Sequence, residues 1–165
     1  MMKNGIKQNA KGENIVQNII INKESSVVDI CAKDIEIMLD KLSSIASQSL
    51  QDPKIIPPDI ERKNQLNNID SANAIEINRS YAHFDIIKEA ISSDHTDNLQ
   101  NKYFQSVYLL QQMYLSKYQG NLPAFKTDVV AKYHDAIDDS TPTEAIKLFH
   151  LLNYMYLNCH IGVTP

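Results

Sequence analysis

Apolar side chains recur at intervals of three and four residues in five successive stretches of the chain. This spacing places residues on one face of an α-helix, because the helix makes one turn in about 3.6 residues. The five stripes are Val28, Cys31, Ile35, Met38, Leu42 and Ile45; Ala74, Ile77, Tyr81, Phe84, Ile87 and Ile91; Leu99, Tyr103, Val107, Leu110 and Tyr114; Phe125, Val129, Tyr133 and Ile137; and Ala145, Leu148, Leu152 and Met155. The pattern predicts an all-α fold, a helical bundle of about five to six helices.

The N-terminal part of the chain differs from the rest. Residues 1–25 are polar and rich in asparagine, apart from Ile15-Val16 and Ile19 to Ile21. We interpret them as a flexible arm, or as a strand that pairs with something else, because a single strand is not stable alone. The predicted division is a flexible arm over residues 1–25, an N-terminal helix over 26–52 and a helical interaction domain over 53–165.

Capping residues predict where the first and last helices begin. Ser26 can cap the first helix, which we expect to end near Leu50 because prolines follow. Thr141, Pro142 and Glu144 form a capping box with proline at the first helical position, and Gly162 closes that last helix. Between them we predict a short exposed helix over 60–69, and longer helices over 71–92, over 97–119 with Thr96 as its cap, and from Leu122 onward.

Composition limits the classes of partner. The net charge is −4, so we do not expect direct binding to nucleic acid, which is typical of basic domains. The sequence has no apolar run long enough for a membrane span and no secretory signal, which favours the cytoplasm. In that compartment Cys31 and Cys159 are expected to be reduced and buried as small hydrophobic residues.

The sequence contains no recognisable catalytic or cofactor motif. Its histidines and cysteines lack the spacing of a zinc site, and neither a glycine-rich phosphate loop nor a G-x-S-x-G element is present. We therefore predict no catalytic residue, no cofactor and no metal, and we expect that the protein is not an enzyme. The alternative is a small helical enzyme subunit whose site forms only in the fold, for example from His134 and Asp138.

Two helices suggest a surface for a partner. Val28, Ile35 and Leu42 form a seam that belongs either to an ordinary core helix or to a face offered to another chain, as in a homo-oligomeric structural protein. The last helix is apolar on most of its circumference, so it is either central to the bundle or covered by a partner. We expect Tyr154 and Tyr156 at the contact surface, because tyrosine suits protein interfaces. The alternative is that the tyrosines line the bundle core with their hydroxyls at its rim.

Two segments carry a family resemblance. The first is Pro57-Pro58-Asp59-Ile60-Glu61-Arg62-Lys63-Asn64-Gln65-Leu66-Asn67-Asn68-Ile69. The second is Leu152-Asn153-Tyr154-Met155-Tyr156-Leu157-Asn158-Cys159-His160-Ile161-Gly162. An extended Pro-Pro, Lys-Asn-x-Leu-Asn-Asn, tyrosine-bearing helices and an aromatic closing helix with Asn-Cys near its end together resemble the C-terminal domains of bacterial ABC-three-component systems. The resemblance spans residues 55–165.

The resemblance implies a role in a suspected anti-phage or anti-plasmid defence system. In such systems an ABC-type ATPase, a small middle component and a protein with this helical domain are thought to act together. The domain usually follows an effector, whereas residues 1–54 carry no effector motif. The resemblance therefore implies a non-enzymatic adaptor that couples the ATPase to an effector encoded separately, with the ATPase and the middle component as protein partners.

Overall fold

The computed structural model describes residues 26–42, 59–93 and 98–165 of the chain, and these are helical with no strand among them. The α-helices of this part are α1 (Val27–Lys41), α2 (Ile60–Leu66), α3 (Ser71–Ser80), α4 (Phe84–Ser93), α5 (Leu99–Met113), α6 (Leu122–Ala136) and α7 (Pro142–Leu157). A 3-10 turn at Tyr81–His83 joins α3 to α4, so the two form one interrupted run and the described part has six helical units. The all-α prediction is confirmed.

Some of the predictions fall outside the described residues. These are the arm over 1–25, the end of the first predicted helix near Leu50, and the cap at Thr96. The boundary between the N-terminal helix and the interaction domain, at residues 52 and 53, also lies there.

The predicted caps of the first and last helices are present. The Ser26 hydroxyl accepts the Val28 amide at 3.1 Å, while the Asp29 carboxylate accepts the Ser26 amide at 2.6 Å. At the start of α7, Thr141 and Glu144 exchange the same two kinds of hydrogen bond, and Pro142 occupies the first position. These local bonds satisfy amide groups that a helix leaves without partners, which is why the sequence alone locates both starts.

Helix α7 occupies the centre of the bundle. It contacts α1, α3, α4 and α6, and every side chain from Leu151 to Tyr156 is buried. Of the two alternatives for this helix, a central position or a partner that covers it, the structure shows the central position.

Helix α1 packs against α5, α6 and α7, and its seam supplies part of the common core. Val28 and Ile35 are fully buried, and Leu42 is 1% exposed. Two polar contacts reinforce this packing: the Lys147 ammonium donates to the Leu39 carbonyl at 3.2 Å, and Lys102 pairs with Asp34 at 3.0 Å. The seam from Val28 to Leu42 therefore belongs to a core helix and is not a face left open to another chain. Its last residue, Ile45, lies outside the described residues.

Three predicted helices differ in detail. The helix predicted over 71–92 is interrupted by the 3-10 turn, and the helix predicted to reach Gln119 ends at Met113. A π-helical segment, Tyr114–Tyr118, follows, and Gly120 with φ of 77° ends it. The wider turn brings the Tyr114 hydroxyl within 2.9 Å of the Gly120 amide, which donates to it. The last helix ends at Leu157 and not at Gly162.

Candidate functional site

The described part of the first segment that carries the family resemblance, residues 59–69, lies against the second segment, and Asn67 lies at this junction. Its side-chain amide donates to the carbonyls of Lys63, at 2.7 Å, and Val163, at 2.8 Å. Its oxygen accepts the Val163 amide at 2.7 Å and the Tyr114 hydroxyl at 2.6 Å. An asparagine side chain has two donor hydrogens and two acceptor lone pairs, so this buried residue is fully bonded.

Lys63 makes the second link between these segments. It is 3% exposed, and its ammonium donates to the Tyr156 carbonyl and lies 4.1 Å from the centre of the Tyr156 ring. The Cys159 sulfur lies 3.4 Å away. Burial lowers the pKa of Lys63, because an apolar environment disfavours the charged form. The prediction that 60–69 forms an exposed helix is wrong at Lys63 and Asn67, whose polar ends find internal partners.

Gly162 completes this connection, which we call the closing clamp (Lys63, Asn67, Gln111, Gly162 and Val163). Gly162 has φ of 93°, and its amide and carbonyl are both bonded to the Gln111 side chain, at 2.9 Å and 3.2 Å. A Cβ here would lie 2.9 Å from the Asn67 side-chain oxygen and 3.1 Å from the Tyr156 ring. The position therefore requires glycine for both its backbone conformation and its space.

The structure corrects the position of the two predicted contact tyrosines. Tyr156 is fully buried, and its hydroxyl donates to the Asn64 side chain at 2.9 Å. Tyr154 is 7% exposed, and its ring lies against those of Phe84 and Tyr103. The surface position expected for Tyr156 is wrong, because its polar tip has a partner inside the fold. Tyr154 and Tyr156, like Val28, Ile35 and Leu42, are core residues.

The two cysteines differ. Cys31 is buried, as predicted, and burial raises the pKa of its thiol to about 12. Cys159 is exposed, so the prediction that it is buried is wrong. It follows the last residues of α7 in the left-handed conformation, with φ of 59°.

A second polar network joins α3, α6 and α7. The Lys126 ammonium, 2% exposed, donates to the Glu76 carboxylate at 2.7 Å and to the Asn153 oxygen at 2.9 Å. The Asn153 amide in turn donates to Glu76 at 2.8 Å and to the Ser80 hydroxyl at 2.9 Å. A buried charge is costly unless it is paired and hydrogen-bonded, and here both conditions are met.

His150 extends this network to the edge of the core. Its Nδ1 lies 2.9 Å from the Ser80 hydroxyl, and its ring is 4.5 Å from that of His83. Burial, together with the nearby His83, lowers the pKa of His150 to about 4, and burial lowers the pKa of His83 as well. Both imidazoles are therefore neutral at neutral pH.

A cleft of about 460 Å³ opens beside this network. It is lined by Asn73, Glu76, Pro123, Lys126, Thr127, Ile146, Phe149 and His150. Glu76 and Lys126 are bonded to each other, and His150 is bonded to Ser80. The charged and titratable groups of the cleft thus hold three helices together.

The histidine and aspartate considered as an enzymatic pair are not brought together. His134 forms its hydrogen bond with the Ser140 hydroxyl, and Asp138 is exposed. Within residues 26–42, 59–93 and 98–165, no group of three or more His, Cys, Asp or Glu side chains is placed to hold a metal ion. In the same ranges, none of the helices has the length and apolar character needed to cross a bilayer.

An uncharged exposed face runs along α5 into its π-helical extension. We define this outer face as Asn101, Phe104, Gln105, Tyr108, Gln112 and Leu115, all of which are exposed. Phe104 is 49% exposed and Tyr108 is 65% exposed, and a shallow groove of about 480 Å³ lies beside them. The sequence pattern did not identify this face, because apolar periodicity identifies only the stripe that α5 buries. Two large aromatic residues off that stripe were the signal that marks it.

Comparison with known proteins identifies a family. The model of C-terminal domain 12 of the ABC-three component (ABC-3C) systems matches residues 17–162. The match extends further toward the N-terminus than the resemblance over 55–165, and it includes α1. Neither the curated proteins nor the solved structures contain a match to this chain. Because the family model spans most of the chain, the protein belongs to the family of C-terminal domains, type 12, of the ABC-three component systems.

Proposed function

We propose that this protein is a non-enzymatic interaction domain of a bacterial defence system, which couples an ABC-type ATPase to an effector in the cytoplasm. The observation that carries the proposal is the family match over residues 17–162, because a domain of a three-component system has protein partners. Two further observations support it: the internal partners of the buried lysines, and the positions of the residues that the alternative functions would use.

The buried charges support a structural use of the polar side chains. Among the lysines of residues 26–42, 59–93 and 98–165, Lys63 and Lys126 are the two most deeply buried, and each is bonded to groups on other parts of the chain. Catalytic lysines and histidines need access to a substrate atom at hydrogen-bond distance. Here the ammonium groups are bonded within the closing clamp and the α3–α6–α7 network.

The residues named for the two alternative functions have other partners within the chain. The homo-oligomeric alternative used the seam of Val28, Ile35 and Leu42, which α5, α6 and α7 contact within the same chain. The enzymatic alternative used His134 with Asp138, and His134 is bonded to Ser140 instead. A protein-interaction role requires neither of these arrangements.

Complex formation tests the proposal. The full chain would be mixed with the ABC-type ATPase and the small middle component of its own system, at about 10 μM each, and separated by size-exclusion chromatography. We expect this chain to co-elute with one or both of them. Omitting each component in turn identifies the direct partner. If the ATPase and the middle component associate with each other while this chain elutes alone, with ATP and without it, the proposal is wrong.

A further inference from the structure

We propose that Lys63 and Cys159 form a reversible covalent link, an N–S sulfenamide bond, when a hydroperoxide oxidises the Cys159 thiol. The link fastens the closing clamp, because it joins α2 to the turn that follows α7. It is a modification site of this chain and is separate from the contacts with partner proteins that the proposed function requires. The inference follows from the distance between the two side chains, the exposure of the thiol and the burial of the amine.

The two reacting atoms are already in contact. The Lys63 Nζ lies 3.4 Å from the Cys159 Sγ, although the two residues are 96 positions apart in the sequence. Lys63 is 3% exposed, and in the described ranges its ammonium contacts the Tyr156 carbonyl, the face of the Tyr156 ring and this sulfur. An ammonium has three hydrogens to donate, and one oxygen accepts here, so the sulfur occupies a place that an oxygen acceptor usually holds.

The turn after α7 holds both residues at one oxygen atom. The Tyr156 carbonyl accepts the Cys159 amide at 3.0 Å and also accepts the Lys63 ammonium. Cys159 has φ of 59°, a left-handed conformation that glycine or asparagine usually adopts after a helix. Glycine would form the same turn without strain, so the turn by itself does not require a cysteine.

The exposed thiol is the one that a small oxidant reaches. Cys159 is exposed, whereas Cys31 is buried on α1, and its thiol donates to the Val27 and Val28 carbonyls at 3.3 Å and 3.6 Å. Burial raises the pKa of the Cys31 thiol to about 12, which keeps it protonated. Oxidation of cysteine follows exposure and thiolate character, so it is directed to Cys159.

Lys63 supplies the nucleophile that captures the oxidised sulfur. Burial lowers the pKa of its ammonium, which raises the fraction present as the free amine. The free amine has the lone pair that a bond to sulfur requires. A lysine on the surface stays protonated at neutral pH and would capture the sulfur far less often.

A hydroxyl without a partner lies near the same cysteine. The Tyr81 hydroxyl is buried, and it has no hydrogen-bond partner within residues 26–42, 59–93 and 98–165. Burial raises the pKa of this hydroxyl, and so does the proximity of Cys159. Buried polar groups are normally bonded, so this donor is an exception that needs an explanation. An oxygen atom added to the Cys159 sulfur supplies an acceptor near it.

The reaction has two balanced steps. In the first, the Cys159 sulfur forms a bond to one oxygen of hydrogen peroxide, the O–O bond breaks, and the other oxygen leaves as water with the thiol proton. In the second, the Lys63 lone pair forms the N–S bond, the S–O bond breaks, and the hydroxyl leaves as water with an amine proton. Sulfur loses two electrons in the first step and the peroxide gains them, and the second step transfers none.

Treatment of the full chain with hydrogen peroxide tests the inference. Remaining thiols are alkylated, and mass spectrometry is applied to the whole chain and to a tryptic digest. We expect the loss of two hydrogen atoms, about 2 Da, and a pair of peptides joined through Lys63 and Cys159. The midpoint of thermal unfolding should rise by at least roughly 5 °C, because a cross-link over 96 positions restricts the unfolded chain. Dithiothreitol should reverse both changes.

Three variants identify the residues that react. Cys31→Ser should form the link as the wild type does, whereas Cys159→Ser should not. Lys63→Gln keeps a hydrogen-bond donor but has no amine, so Cys159 should instead gain one or two oxygen atoms, about 16 or about 32 Da. If Lys63→Gln does not fold, the peptide map of the wild type decides, because it identifies both joined residues.

Several results would overturn the inference. A species lighter by about 2 Da that disappears in Cys31→Ser is a disulfide between the two cysteines and not the link. Oxygen adducts, disulfide-linked dimers or an unmodified Cys159 in the wild type, without a peptide joined to Lys63, exclude the link as well. A joined peptide with an unchanged midpoint of thermal unfolding would show that the link does not fasten the closing clamp.

Discussion

Asn67 and Val163 exchange two hydrogen bonds across 96 positions of the chain: the Asn67 amide donates to the Val163 carbonyl at 2.8 Å, and the Val163 amide donates to the Asn67 oxygen at 2.7 Å. The pair joins the end of α2 to the segment after α7. Nearby, Lys63 and Asn64 bond to Tyr156, so the described parts of the two segments that carry the family resemblance are neighbours in the fold.

Replacing Asn67 by alanine should lower the free energy of unfolding by about 3 kcal/mol, because several buried groups lose a partner at once and each such loss costs about 1–3 kcal/mol. These groups include the Val163 amide and the Tyr114 hydroxyl. Urea denaturation of the purified variant measures the change. Gln65→Ala, at an exposed position of α2, is the control and should change stability by less than about 0.5 kcal/mol. An Asn67 variant as stable as the control would contradict this role for the closing clamp.

Alanine at Gly162 should destabilise the protein more than alanine at Gly120. Both glycines have positive φ, 93° and 77°, so both substitutions incur a backbone cost of about 1–2 kcal/mol. Only Gly162 adds a steric conflict, since its Cβ would lie 2.9 Å from the Asn67 oxygen, compared with 3.4 Å from the nearest atom at Gly120. Thermal unfolding of the two variants side by side measures the difference. Equal losses would show that the closing clamp tolerates a Cβ.

Replacing either Leu152 or Tyr156 of α7 by alanine should lower the free energy of unfolding. Both residues are fully buried, so Leu152→Ala should cost about 2–5 kcal/mol and Tyr156→Ala about 3–5 kcal/mol. Tyr156→Phe keeps the ring and loses only the hydrogen bond to Asn64, which is worth about 1 kcal/mol. Chemical denaturation resolves these three values. A stable Tyr156→Ala variant with weakened partner binding would restore the surface position that the structure rejects.

Acid should destabilise the fold through His150. The pKa of His150 is about 4 in the folded protein, and in the unfolded chain we take the ordinary histidine value of 6.5. The imidazole is therefore mainly neutral in both the folded and the unfolded protein above pH 6.5. Below that pH the unfolded chain takes up the proton first, and stability falls until about pH 4 by an amount on the order of 3 kcal/mol, since one pKa unit is worth about 1.4 kcal/mol. The lowered pKa values of His83 and His160 act in the same direction.

The variant His150→Gln isolates this contribution. It cannot take up a proton, so its free energy of unfolding should fall less steeply than that of the wild type between pH 6.5 and 4. Urea unfolding at several pH values in this window provides the two slopes. Parallel slopes would mean that His150 is not the group responsible.

Local signals in the sequence predicted the helices well, and nonlocal contacts explain the errors. Ser26 and Thr141 cap helices through bonds within three residues, so their effect is visible in the sequence. The hydroxyl of Tyr156 bonds with Asn64, 92 positions away, and no periodicity reveals such a partner. A tyrosine next to an apolar stripe therefore left both a contact surface and the core open, and the structure shows the core location.

The same reasoning explains which parts of the candidate site were missed. Lys126, Glu76 and Asn153 lie on three helices, and they become one network only when α3, α6 and α7 pack together. The outer face of α5 was accessible to sequence reasoning in principle, because Phe104 and Tyr108 stand four residues apart and off the buried stripe. Apolar periodicity marks what a helix buries, so exposed aromatic residues off the stripe have to be identified separately.

Isothermal titration of the full chain into the assembled ATPase and middle component, at about 50 mM and about 300 mM salt, tests the central claim most directly. The proposed function predicts a saturable heat of binding at both salt concentrations, because a specific complex persists when weak attraction between exposed charges is screened. The account is contradicted if no heat of binding is observed with the wild type. It is contradicted equally by a heat that appears only at the lower salt concentration and does not saturate, since that behaviour is typical of nonspecific attraction between charges.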